Sequence, residues 1–152
     1  MTQPVSPAQT TTPDLTDIGG YRFFEPVTLR FSDQDAMGHV NNVAYAALFE
    51  AGRLGLFIDL FDGMGEQHFN FVLAHLAIDY LQEMRFPGEV QVGGRVLRVG
   101  GKSVTTAYGA FLDGVCHATS ISVNVFFDPA TRRSRPFSAN IRERLESCLE
   151  PT

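Results

Sequence analysis

The sequence predicts an α+β fold in which one antiparallel sheet wraps a single long helix. Two observations carry this expectation. One run, from Asn41 or Asn42 to about Phe61, has helical spacing and is apolar nearly all round. Everything from Phe69 to Phe127 then reads as strand, broken only by short turns. Strands joined by short turns are antiparallel neighbours, and a lone buried helix ahead of them has to lie against the concave face of their sheet.

Taken in order, Met1 to Gly20 is rich in Thr, Gln, Ser and Pro and offers almost nothing to bury. It reads as a disordered tail, with order beginning near Tyr21 and one domain over residues 21–152. From Phe24 to Phe31, Val27, Leu29 and Phe31 alternate with Thr28 and Arg30, the period of a half-buried strand. A polar loop from Ser32 to His39 follows, and Asn41 or Asn42 stands where an N-cap opens the helix. That helix is long enough to span a bilayer, but Glu50 and Arg53 sit within it, so it reads as enclosed by protein. Strands are expected over Phe69–Met84, Glu89–Val99, Ser103–Leu112 and Cys116–Phe127, with turns at Pro87-Gly88, Gly100-Gly101 and Asp113-Gly114. A terminal helix over Ser138–Leu149 repeats Ile141, Leu145 and Cys148 or Leu149 on one face, with Ser138 as its cap.

Composition narrows the function. The 152 residues are 44% hydrophobic and 19% charged, with thirteen Phe and no Trp, so a single Phe-rich core is expected. Net charge is -5 and no segment concentrates Lys or Arg, which excludes a duplex-binding surface and with it a nucleic-acid partner. Cys116 and Cys148 make neither a disulfide framework nor a C-x-x-C pair, as suits a reducing cytoplasm. The N-terminus has no basic opening and no apolar core, so it is not read as a secretory signal, and no membrane partner is expected.

Several chemistries fail on spacing. Asp33-x-Asp35-x-x-Gly38 opens like a calcium loop, but Met37 and Ala44 stand where ligands are needed. Gly101-Lys102-Ser103 ends like a P-loop, yet Val96 occupies the place of its first glycine. His39, His68, His75 and His117 lack H-x-x-x-H spacing, so neither a metal nor a cofactor is expected. No G-x-S-x-G elbow occurs.

What remains is the densest polar cluster of an apolar chain, Asp33-Gln34-Asp35 through His39-Val40-Asn41-Asn42 to Tyr45, between a strand end and a helix start. First-turn N–H groups lack internal partners and favour a developing negative oxygen, while a carboxylate beside them can attack an acyl carbon or activate a water. Asp35 is the better placed acid, being nearer the helix. The alternative is that Asp33 and Asp35 only cap turns while His39 and the two Asn hold the loop.

The stretch Arg30-Phe31-Ser32-Asp33-Gln34-Asp35-Ala36-Met37-Gly38-His39-Val40-Asn41-Asn42-Val43-Ala44-Tyr45, with Leu48-Phe49-Glu50-Ala51-Gly52-Arg53 after it, resembles the 4-hydroxybenzoyl-CoA thioesterase-like family of hot-dog acyl-CoA thioesterases. The likeness runs from about Tyr21 to Asp128. It implies a hot-dog fold, a thioester hydrolase active on acyl-CoA, and a site between two protomers of a homodimer or homotetramer. It also implies that Asp35 is the catalytic carboxylate, as nucleophile or general base, with Asp33 as support. The main-chain N–H of Asn42 falls where the family's acyl-oxygen donor lies. Gly38, His39 and Tyr45 are motif positions at the pocket wall, His39 orienting the acid or a water, although Tyr45 equally suits the core. Lys102 and Ser103, in the Gly100 to Ser103 hairpin, fall where the family meets the CoA portion. Arg98, Arg132, Arg133 and Arg135 are further candidates for its phosphates. Glu50 corresponds to a carboxylate used by another hot-dog branch, but three residues before Arg53 it is expected to form a buried ion pair. Hydrolysis of acyl groups on acyl carrier protein, and a non-catalytic acyl-CoA-binding module, are the other readings; hot-dog dehydratases and hydratases fit the loop least.

Overall fold

Asn41 ends the loop and starts the helix: its backbone is extended and its side-chain oxygen accepts from the Ala44 amide at 2.8 Å. The computed structural model describes residues 12–65 and 70–149, and in it this cap opens helix α1, Asn42–Leu60. Around the helix curls an antiparallel sheet of strands β1 (Phe23–Thr28), β2 (Phe71–Tyr80), β3 (Glu89–Val99), β4 (Ser103–Leu112) and β5 (Val115–Asp128), in the order β1-β3-β4-β5-β2. A two-residue strand β6, Arg133–Ser134, pairs with the end of β5, and helix α2, Ala139–Glu146, closes the described chain. This is the hot-dog arrangement.

Register breaks at Leu73/His75, Val96/Arg98 and Ala110/Phe111 insert single residues into the ladders. Such bulges bend and twist a sheet, which lets it curl over α1. The core is Phe-rich as expected: Phe57 and Phe61 stack on Phe71 with centroids 4.8 and 5.8 Å away, and Phe126 and Phe137 continue the cluster. Ser138 caps α2, which buries Ile141 and Leu145 against the sheet.

Four details depart from the sequence reading. The first strand ends at Thr28, because Phe31 to Asp33 turns into a short 3-10 helix. Strand β2 stops at Tyr80, and 81–88 is irregular; the expected start at Phe69 lies outside the described residues. Within the expected tail, residues 1–11 also lie outside them, but from Asp14 the chain has definite structure. Asp17 caps a 3-10 turn over Ile18–Gly20, the Tyr21 hydroxyl donates to Leu15 O at 2.7 Å, and Arg95 Nη1 donates to Gly20 O at 2.9 Å. Short side-chain-to-backbone bonds hold this piece, and they leave no periodic pattern to read.

The fourth concerns α1, which is enclosed on one face only. Leu48, Phe49, Gly52, Leu56 and Phe57 are buried towards the sheet, while Val43 is 79% exposed and Leu54 and Ile58 are about half exposed on the other face. No described helix is long and apolar enough to cross a membrane.

Candidate active site

The loop between β1 and α1 is a closed turn. Asp35 N donates to His39 O at 2.8 Å and Gly38 N to Asp35 O at 3.1 Å, with Gln34 and Val40 bridged across it. Gly38 has φ +80°, a conformation that costs a side-chain-bearing residue and not a glycine. Two further bonds fasten the loop to its surroundings: Val40 N to Met84 O at 2.8 Å, and Asn41 N to Asp33 O at 2.9 Å.

The two acids have different surroundings. Asp33 is buried and accepts from Arg30 N at 2.7 Å and from the Arg30 guanidinium at 2.8 and 3.2 Å. Burial opposes its charge, but the Arg30 bonds outweigh that and hold the carboxyl below the ordinary aspartate range. Asp35 is exposed, and its Oδ1 accepts from Met37 N at 2.9 Å and His39 N at 3.2 Å. The His39 main-chain N–H is the chief reason that the Asp35 carboxyl also lies below its usual value. Oδ2 has no hydrogen-bond partner in another described residue.

An open cleft of about 460 Å³ brings Asp35 together with Asn42, Val43 and Ala44 of the first turn of α1, and with Arg30 and Ala47. Of the first-turn amides, Ala44's is taken by the cap and Tyr45's by Asn41 O. Those of Asn42 and Val43 meet no acceptor among the described residues. The cleft therefore presents an ionised carboxylate and unpartnered main-chain donors to the same space, a pairing suited to an acyl carbon and its oxygen. A second open cleft of about 520 Å³, beside Leu54 and Ile58, is rimmed by Glu25, Asp59 and Asp62 and suits an anionic ligand poorly.

The other expected residues fall into three places. His39 follows Gly38 in the loop, with Nε2 at 2.9 Å from both Glu83 Oε2 and Arg85 Nη2. Tyr45 is buried with its ring edge-on to Tyr80 at 5.2 Å, and it does not line the Asp35 cleft. Lys102 and Ser103 lie in the β3–β4 hairpin. Because Thr28 pairs with Glu89, the Asp35 loop leaves from one end of β3 and the hairpin caps the other, ten residues or about 33 Å of strand away. That hairpin is fastened to α2 by Arg142 Nη2, which donates to Gly100 O at 2.8 Å and Gly101 O at 3.3 Å.

Glu50 and Arg53 do not form the expected ion pair. Glu50 is exposed, whereas Arg53 turns Nη1 inwards, buried and without a partner among the described residues. Its charge acts on Tyr108, whose hydroxyl donates to Thr106, which in turn bonds Ser122; burial pushes the Tyr108 phenol up to about 12. Glu83 and Arg85, which reach His39 from the segment after β2, were not singled out by sequence reasoning. The alternating charges ahead of Phe86-Pro87-Gly88 were the available signal. Among the described residues no three His, Cys, Asp or Glu side chains could hold a metal ion, and His68 lies outside those residues.

Comparison with known proteins agrees with this fold. The chain is similar to a predicted thioesterase from Bacillus stearothermophilus, at 30% identity and TM-score 0.77, over 86% of this chain and 98% of that one. It is also similar to a thioesterase from Thermus thermophilus solved with coenzyme A and Zn, at 28% identity and TM-score 0.76, over 87% of this chain and 98% of that one. An uncharacterized Bacillus subtilis (strain 168) protein, YsmA, is 33% identical over 95 residues, 62% of this chain and 65% of its own length, so the match spans less than two thirds of that relative. Residues 29–145 match the family model of the thioesterase-like superfamily, and the chain belongs to that family of hot-dog proteins.

Proposed function

We propose that this protein hydrolyses acyl-CoA thioesters to the free acid and CoA. The observation that carries the proposal is the shared cleft, lined both by Asp35, whose Oδ2 has no hydrogen-bond partner in another described residue, and by Asn42 and Val43, whose amides meet no acceptor among the described residues. With the thioester carbonyl oxygen on those amides, the Asp35 carboxylate either attacks the acyl carbon, expelling the thiolate and leaving an anhydride that water then opens to the free acid, or takes a proton from a water that attacks it directly. The thiolate departs without a strong general acid, since it is a far better leaving group than an alkoxide or amine. Asp33 holds the loop, Gly38 lets it turn beneath the substrate, and His39 orients the acid or the water.

The site is completed by a second copy of the chain. Lys102 and Ser103 stand at the far end of β3 from their own Asp35, so a compact site needs them from a partner. The open apolar stripe of α1 and the exposed Val72 and Leu73 of edge strand β2 suit such a partner, in a homodimer or a pair of dimers. The coenzyme A bound by the Thermus thermophilus thioesterase supports the substrate class. The testing experiment is release of CoA thiol from aryl and straight-chain acyl-CoA esters by wild type and Asp35→Asn at matched, verified fold. A loss of about a hundredfold or more upholds the proposal. A wild type that binds acyl-CoA without turnover is a binding module, turnover confined to acyl carrier protein moves the substrate class, and full activity in Asp35→Asn makes Glu50 the next carboxylate.

A further inference from the structure

We propose that Arg85 and Glu83 are positioning residues for His39, and that the proton on His39 Nε2 decides which of the two holds it. Three atoms form a triangle: Nε2 lies 2.9 Å from Arg85 Nη2 and 2.9 Å from Glu83 Oε2, and those two lie 3.1 Å apart. A guanidinium can only donate, and an ionised carboxylate can only accept. If Nε2 is bare, it accepts from Arg85 but sets its lone pair against Glu83. If Nε2 carries a proton, it donates to Glu83 but sets an N–H against Arg85. One edge of the triangle is repulsive in either state, so gain of a proton at Nε2 exchanges Arg85 for Glu83 as the partner.

In the neutral ring the bare Nε2 is the favoured state, because Arg85 then directs one Nη2 hydrogen to each of its two acceptors and the ring proton sits on Nδ1. In the protonated ring Arg85 lets go of His39 and keeps Glu83. Among the described residues, Asp35, on whose carboxyl the His39 charge acts, and His117 of β5, whose Nδ1 lies 2.8 Å from Glu83 O, also face this cluster. The exchange reaches the loop because Arg85 Nη1 packs beside Gly38, 3.7 Å from where a β-carbon there would stand. Release of Arg85 moves a cation at the edge of the turn that carries Asp35. The effect on hydrolysis rests on the thioesterase reading; the exchange itself rests on geometry alone.

The test is a nitrogen-15 NMR titration of the His39 ring in the full chain, from mildly acid to mildly alkaline pH, for wild type, Arg85→Met, Arg85→Lys and Glu83→Gln. Arg85 and Glu83 side chains are both more than half exposed, so these variants are expected to fold, and unchanged thermal unfolding verifies it. In the alkaline wild type the ring proton is expected on Nδ1. Arg85→Met moves the preference towards Nε2 by up to about fivefold, as for an exposed charged contact, and Arg85→Lys restores it. Glu83→Gln keeps the Nδ1 proton at alkaline pH. A neutral wild-type ring protonated on Nε2, or a tautomer unmoved by Arg85→Met, overturns the exchange whether or not the protein is a thioesterase. Where turnover is measurable, superimposable pH–rate profiles of wild type and Arg85→Met overturn its link to the site while leaving the thioesterase reading intact.

Discussion

Gly52 of α1 lies directly on Val92 of β3, so close that a β-carbon on the glycine would overlap the valine side chain. The helix meets the sheet at this point, with the Tyr108 ring alongside. Gly52→Ala gains about 1 kcal/mol of helix propensity but has to push α1 off the sheet, and overpacking costs about 1–3 kcal/mol. Net destabilisation is expected, lowering the melting temperature by a few degrees at about 2–4 °C per kcal/mol. An unchanged or raised melting temperature in scanning calorimetry would show that the contact yields freely.

Asp33 is expected to support the fold and not the chemistry. Asp33→Asn leaves the Arg30 donors poorly matched and costs about 1–2 kcal/mol at neutral pH. Because its folded pKa is depressed, Asp33 contributes stability above the ordinary carboxylate value, and that contribution is lost as pH falls through the folded value. Urea unfolding of wild type and variant should therefore converge on acidification. A gap that stays constant with pH would remove the charge from the explanation.

Asp35 stays ionised because of main-chain donors, with the His39 N–H first among them. The acid limb of kcat/KM is accordingly expected below the usual aspartate range. It should persist in His39→Asn, which keeps the amide and loses the imidazole. Migration of that limb to higher pH in the variant would assign the depression to the ring.

Arg142 ties α2 to the carbonyls of Gly100 and Gly101 while its guanidinium lies 5.6 Å over the Phe137 ring. Arg142→Met keeps the aliphatic packing and removes the two bonds by which α2 holds the hairpin. Its expected effect is a KM for acyl-CoA raised about three- to tenfold with kcat little changed, the pattern of binding lost equally from the ground and transition states. A fall in kcat at constant KM would instead place the hairpin in the chemical step.

The elements with strong local signals were legible from residues alone. Glu89–Val99 and Ser103–Leu112 match their strands end to end, since glycine turns bound them, and Asn41 and Ser138 cap helices where expected. The Asp35 loop and the start of α1 were legible for the same reason, because the chain supplies both within eight residues. The partners of His39 were not, since Glu83 and Arg85 arrive from more than forty residues away through a segment that reads as continued strand. Arg53 misled for a related reason: its spacing from Glu50 suits a pair on the helix surface, but its side chain turns into a polar interior made by β4 and β5.

The order of strands in the sheet also has a consequence for how the chain reaches this structure. Strands β3, β4 and β5 follow one another through short turns and form a meander that closes small loops, whereas β1 and β2 dock on its two sides only after α1 has been carried across. Loop-closure entropy favours the meander as the early nucleus and the flanking strands as late additions. Stopped-flow chevrons should then show Val104→Ala slowing refolding, and Leu76→Ala chiefly hastening unfolding. The edge strand proposed to meet a second copy of the chain would thus be among the last to join, so that in such a dimer assembly and the final step of folding would share one edge.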